Sequence, residues 1–128
     1  LTVVRRRPDN GGMIALTQSV VKLGTFKADN PVQALACAVL PLTYLLLGRY
    51  IGYQGTVKLW DVAGALAMLT RAGFTCVLMN GTPVGPAVTD EVYHLDAKSP
   101  RRWFLRDRLI CGPSPEAVDY LMAASSDR

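Results

Sequence analysis

Apolar residues fall along the chain in short blocks whose spacing separates helices from strands. From Met13, apolar positions recur at Ile14, Leu16, Val20, Val21 and Leu23, close to helical spacing, until Gly24 supplies a C-terminal stop. A second helix is predicted from Pro31, a residue preorganised for a first helical turn, through Leu47 to a stop at Gly48. Pro41 inside it lacks an amide donor and should kink it. Arg49 to Tyr53 reads as a strand. A third helix, DVAGALAMLTRA, runs from Asp61 to Gly73; both faces are mostly small or apolar, so we expect it packed on more than one side. Phe74 to Met79 is a continuous apolar run closed by Asn80-Gly81, as a buried strand would be. Leu109 to Cys111, closed by Gly112, repeats that pattern. Ser114-Pro115-Glu116 combines a capping hydroxyl, a first-turn proline and an early acid, and opens a last helix carrying Val118, Leu121 and Met122 on one face. Leu1 to Arg7 reads as a short strand before the turn residues Asp9 to Gly12. The stretch 81–100, with Pro83, Pro86 and Pro100, is the least regular.

Strands alternating with helices imply an α/β fold with a mostly parallel sheet and helices on both faces. The 128 residues form one domain, 1–128. Folding at that length buries roughly two-thirds of the extended chain's surface, enough for a real core. With 50% apolar and 19% charged residues, disorder is excluded. The segment Ala34 to Leu47 is shorter than the roughly 20 residues that span a bilayer, so it is expected in the core rather than in a membrane. The N-terminus is no signal peptide, because its short apolar run precedes the arginines. It also lacks an initiator methionine, as a processed product or a piece of something longer would. Cys37, Cys76 and Cys111 are odd in number and far apart, each within an apolar run. They read as reduced core residues, which favours a cytoplasmic chain.

Candidate chemistry centres on Asp61. An acid just inside a helix N-terminus can cap the first turn, and the residues alone favour that use. It can also hold a hard cation such as magnesium, since the helix end favours the ionised carboxylate. The basic stretch 98–108 holds Lys98, Arg101, Arg102, Arg106 and Arg108 interleaved with Trp103 and Phe104. It can grip phosphate groups or form a solvated loop with its apolar residues tucked inward, and the loop is the favoured reading. The net charge of +4 permits phosphate-bearing partners without calling for nucleic acid. His94 is expected in a surface loop. No G-x-S-x-G elbow, Walker loop or dinucleotide fingerprint occurs.

The stretch Trp60-Asp61-Val62-Ala63-Gly64, followed by Ala72-Gly73, resembles the W-D-x-A-[AG] … E-A-G-G signature of the inositol-monophosphatase-like, magnesium-dependent phosphatases. Gly48-Arg49-Tyr50 with Tyr53 is similar to that family's G-R strand, and Lys58 stands where a basic residue often precedes W-D. Residues 30–124 thus resemble the C-terminal half of such an enzyme. The resemblance implies Mg2+ held partly by Asp61, a phosphorylated small molecule as substrate, and a substrate contact from Gln54, where the family commonly carries a glutamate. It also implies a buried Trp60. Most of the family's metal ligands belong to an N-terminal half with a D-P-[IL]-D-G-T loop that does not occur in this sequence, and either Ala36-Cys37-Ala38 or Asn30-Pro31 stands where the family has a Gly-Ser-Ala turn before the G-R strand. A single carboxylate cannot fix a two-metal centre. No catalytic residue is therefore assigned. The chain is expected to be inactive alone, and to pair with a missing N-terminal half, a second chain, or itself as a homodimer. The alternative is a non-catalytic interaction module that retains the fold.

Overall fold

In the computed structural model, residues 8, 9 and 11–125 are described. The strand read over Leu1 to Arg7 lies outside them. The elements follow in the order β1 (Ile14–Leu16), α1 (Gln18–Leu23), β2 (Val32–Ala34), α2 (Val39–Leu46), β3 (Gly52–Gly55), α3 (Leu59–Arg71), β4 (Thr75–Leu78), β5 (Leu109–Gly112) and α4 (Pro115–Ala123). The five strands form one sheet in the order β2-β1-β3-β5-β4. β1 pairs in parallel with β2 and β3, while β5 runs antiparallel to both β3 and β4. Four strands therefore point one way and β5 the other, which is the mostly parallel α/β sheet the sequence called for.

Alternation along each strand sorts the core into two layers. Ala15, Tyr53, Cys76, Leu78, Leu109 and Cys111 share one cluster with Leu42, Leu45 and Leu46 of α2 and Val62, Leu66 and Leu69 of α3. Ile14, Leu16 and Ile110 share the other with Val20 of α1 and Val118 and Leu121 of α4. Helices thus cover both faces.

Two predicted helices turn out to begin as strands. Ile14–Leu16 is the strand between β2 and β3, and all three of its residues are buried. A strand covered on both faces shows apolar residues at every position, so its spacing blends into that of α1 behind it. Gly24 does close α1, with a positive φ of 68°. In the second case Val32–Ala34 is an exposed edge strand, and the helix starts only at Val39. Pro41 therefore lies in the first turn, where backbone amides have no helical acceptor, and it produces no kink.

Other expectations fare variously. The strand read over Arg49 to Tyr53 sits a few residues later, at Gly52–Gly55. The helix predicted from Asp61 starts at Leu59. It is buried along one face only, with Ala63, Gly64, Ala67 and Met68 exposed, so packing on several sides is not seen within this chain. The α4 start is as read: Ser114 Oγ accepts from the Ala117 amide at 3.2 Å. Residues 81–100 contain no helix or strand. Cys76 and Cys111 are buried and face each other in register across β4 and β5, and burial pushes the Cys111 thiol up. Cys37 is exposed, against expectation, because it lies in the turn between β2 and α2. Among the described residues no helix is long and apolar enough to cross a membrane.

Gly52 fixes the distance between sheet and α4. A Cβ there would lie 2.3 Å from Leu121 Cδ1, and Leu121 is fully buried with nowhere to retreat. Gly52→Ala should cost about 1–3 kcal/mol in urea denaturation; an unchanged midpoint would show that this contact is slack.

Candidate functional site at the strand ends

The carboxyl ends of β1, β2 and β3 open on one cavity of about 280 Å³, lined by Thr17, Cys37, Thr56 and Asp61 among others. Thr17 directly follows β1, Thr56 directly follows β3, and Cys37 belongs to the turn after β2. Ligands of open α/β sheets bind at this end, because strands, turns and helix N-termini converge there. Asp61 is supplied by the first turn of α3. Its Oδ2 accepts from the Lys58 amide at 3.0 Å, the carboxylate half of a capping box. No hydrogen bond to Oδ1 is present among the described residues. One oxygen of Asp61 thus ties the turn, while the residue also lines the cavity.

The floor is tight. Thr17 Oγ1 lies 3.0 Å from Ser19 Oγ and accepts from the Thr56 amide at 3.3 Å, lacing β1's end to β3's. A Cβ on Gly55 would meet Thr17 Cγ2 at 2.4 Å and Tyr53 Oη at 2.6 Å, so only glycine fits between them. Tyr53 is 1% exposed and its hydroxyl has no hydrogen-bond partner among the described residues. Burial, then the nearby Cys111, Asp61 and Cys37, push its pKa well above the usual phenol value.

Gln54 lies elsewhere. Neighbours on a strand face opposite ways, so Tyr53 meets α2 and α3 while Gln54 turns towards α4. It is fully buried, its Nε2 donating to Ser125 Oγ at 2.7 Å and its Oε1 accepting from Arg108 Nη1 at 3.2 Å. The structure does not bring it to the wall of the Asp61 cavity.

Trp60 corrects another expectation. It is 61% exposed, because the inward positions of α3 are Val62, Ala65, Leu66 and Leu69 and residue 60 points away from them. Lys58 Nζ sits 5.4 Å from its ring centroid. His94 is half-buried, its backbone paired with Trp103 and Phe104. No group of three or more His, Cys, Asp or Glu able to hold a metal occurs among the described residues. In the basic stretch Leu105 is buried as the loop reading expects, but Trp103 and Phe104 are only half-buried and Arg108 is buried; Arg102 stacks 4.4 Å from the Trp103 ring. Thr17, Thr56 and Tyr53 are site residues that the sequence reading missed. The signal for Thr17 was a polar residue just after a strand, hidden because that strand was read as helix.

No family model matches the chain, and no curated protein matches it. Solved structures do. Inositol monophosphate-bound SaIMPase-II superposes with a TM-score of 0.69 at 16% identity, over 97% of this chain and 47% of its own. The extragenic suppressor protein suhB of Bartonella henselae gives 0.64 at 22% identity, over 96% and 45%. An IMPase/NADP phosphatase complexed with Mg2+ and phosphate gives 0.61 at 10% identity, over 100% and 44%. The fold is therefore that of one part of the inositol-monophosphatase-type proteins. The chain spans less than half the length of each of these structures.

The unpartnered Tyr53 hydroxyl gives a direct check on the floor. Tyr53→Phe removes a buried donor that gains nothing, so its thermal unfolding should be unchanged or stabilised by about 1 kcal/mol. A loss of more than about 1 kcal/mol would mean that the hydroxyl is satisfied in solution.

Proposed function

We propose that this chain is the C-terminal part of a magnesium-dependent phosphomonoesterase of the inositol-monophosphatase type, in which Asp61 is one metal ligand. The observation that carries the reading is the position of Asp61, a carboxylate at a helix start on the wall of the strand-end cavity. The W-D-x-A-G sequence around it supports the same reading, as does the likeness to a phosphatase complexed with Mg2+ and phosphate.

A complete metal centre does not fit the described residues of this chain. Magnesium demands near-octahedral oxygen ligation, and among the described residues Asp61 is the one carboxylate on the cavity wall. The remaining ligands must come from another segment, in the same natural polypeptide or in a second one. What these residues do by themselves is narrower. The α3 N-terminus favours negative charge beside Asp61, and the Thr17 and Thr56 hydroxyls offer short polar contacts to a bound ester.

A surface for that other segment accompanies the cavity. On the α2–α3 layer, Val39, Leu40, Trp60 and Met68 are exposed, at 63%, 42%, 61% and 50%. Exposed apolar side chains on both helices are surface that a covering structure would bury. The same face supports the second reading, a non-catalytic interaction module, which would also use it for docking.

Two measurements follow. The chain alone should release no phosphate from a chromogenic monoester. Supplied with an N-terminal half of the phosphatase type, it should do so with magnesium, and Asp61→Asn should slow that release about a hundredfold or more. Magnesium-dependent release by the chain alone, or indifference to Asp61→Asn, would overturn the assignment. In sedimentation at micromolar concentration under reducing conditions, the chain should self-associate or bind that half, burying above about 1,000 Å². A monomer indifferent to the added half would rule out a docking face on α2 and α3.

A further inference from the structure

Aromatic rings and cations interleave where α3 begins, in a patch that shares Trp60 with the α2–α3 face and extends from there onto the loop 101–104. Lys58 Nζ lies 5.4 Å from the centroid of the Trp60 ring and 4.9 Å from that of Phe104, so it bridges the two. Arg101 lies 5.0 Å from the Phe104 centroid, and Arg102 lies 4.4 Å from that of Trp103. Trp60, Arg101 and Arg102 are exposed, while Lys58, Trp103 and Phe104 are half-buried. Among the described residues, Lys58, Arg101 and Arg102 have no carboxylate partner.

The loop that carries these groups is held in place. Trp103 has a φ of 77°, the one positive value outside glycine among the described residues, and a bulky residue adopts it only where its surroundings impose it. Its amide donates to the His94 carbonyl at 2.7 Å, and its carbonyl accepts from the Leu59 amide at 2.8 Å. The strained residue thus ties the loop to the start of α3. Rings fixed in this way lose little further freedom when a partner binds.

Cations alone would suit any polyanion, and rings alone an apolar partner. Three rings with three unpaired cations among them suit a chain that alternates phosphates with flat bases. Each base can stack on a ring while a neighbouring phosphate meets a cation. A duplex hides its base faces, and an acidic peptide has no flat groups to stack. The net charge of +4 does not call for such a partner, but this local arrangement does.

We propose that Trp60, Trp103 and Phe104, with Lys58, Arg101 and Arg102, form a surface for single-stranded nucleic acid. Such a surface needs neither Asp61 nor a metal. Both tryptophans of the chain lie in it, so their fluorescence reports on stacking. Titration of the chain with a single-stranded oligothymidylate of about 12 nucleotides, at low salt, should quench that fluorescence. Trp60→Ala alters no charge at an exposed position and should weaken binding about tenfold, the worth of one base–ring stack, with Trp103 as the remaining reporter. Trp60→Phe keeps a ring and should recover most of that loss. Arg101→Gln combined with Arg102→Gln should flatten the slope of log affinity against log salt by about 1.4. Lys22→Gln, on α1 across the sheet, should match the parent. No quenching in the parent, parent-like binding by Trp60→Ala, or equal affinity for a duplex of the same length or for polyglutamate would overturn the surface.

Discussion

Strand β3 is pressed from both faces, and the architecture is arranged around that compression. Gly52 touches Leu121 of α4 on one side, and Gly55 is wedged between Thr17 and the Tyr53 hydroxyl on the other. Between them Tyr53 and Gln54 are fully buried and face opposite layers. Any side chain at either glycine would push α4 off the sheet or part β1 from β3. The two residues that leave β1 and β3, Thr17 and Thr56, can therefore meet through a hydroxyl–amide hydrogen bond. That meeting forms the floor of the candidate site.

Polar groups under the sheet bind its distant parts together. Gln54 joins Ser125, just after α4, to Arg108, just before β5, and Ser125 in turn donates to the Leu121 carbonyl at 3.3 Å. Residues far apart in sequence are thus held at the middle strand by buried hydrogen bonds, whose loss would leave donors or acceptors unsatisfied. Near the start of β1, Asn30 does comparable work. Its side-chain amide donates to the Asp9 and Gly12 carbonyls, and its oxygen accepts from Tyr120 of α4 at 2.7 Å. The site thus stands on a scaffold whose α4 side is fixed by specific polar contacts as well as by apolar burial.

How much of this was legible in the sequence depended on local chemistry. The α4 start could be read because Ser114, Pro115 and Glu116 act on their own turn. β4 and β5 could be read because their apolar runs end in turn glycines. The capping role of Asp61 could be read because a carboxylate just inside a helix N-terminus acts on its own turn, whereas its choice as a metal candidate came from the resemblance of the W-D stretch. β1 and β2 were lost for opposite reasons: Ile14–Leu16 is buried on both faces, and Val32–Ala34 is exposed. Neither shows the alternation that marks a half-buried strand. Trp60 was assigned inward on the strength of the family resemblance, yet its side of the helix is set by Val62, Leu66 and Leu69. The partners of Gln54 are tertiary, at Arg108 and Ser125, and no local pattern announces them.

The central claim is that Asp61 and the ends of β1 and β3 form one cation-directed site. Manganese, a paramagnetic ion that accepts the same oxygen ligands as magnesium, reports on it without any need for turnover. Amide resonances of the chain would be followed by NMR as Mn2+ is added at low millimolar concentration. The account predicts broadening centred on Asp61 and Val62, reaching Thr17 and Thr56, and abolished by Asp61→Asn. Broadening confined to the acidic loop residues Asp90, Glu91 and Asp96, or persisting unchanged in Asp61→Asn, would contradict it.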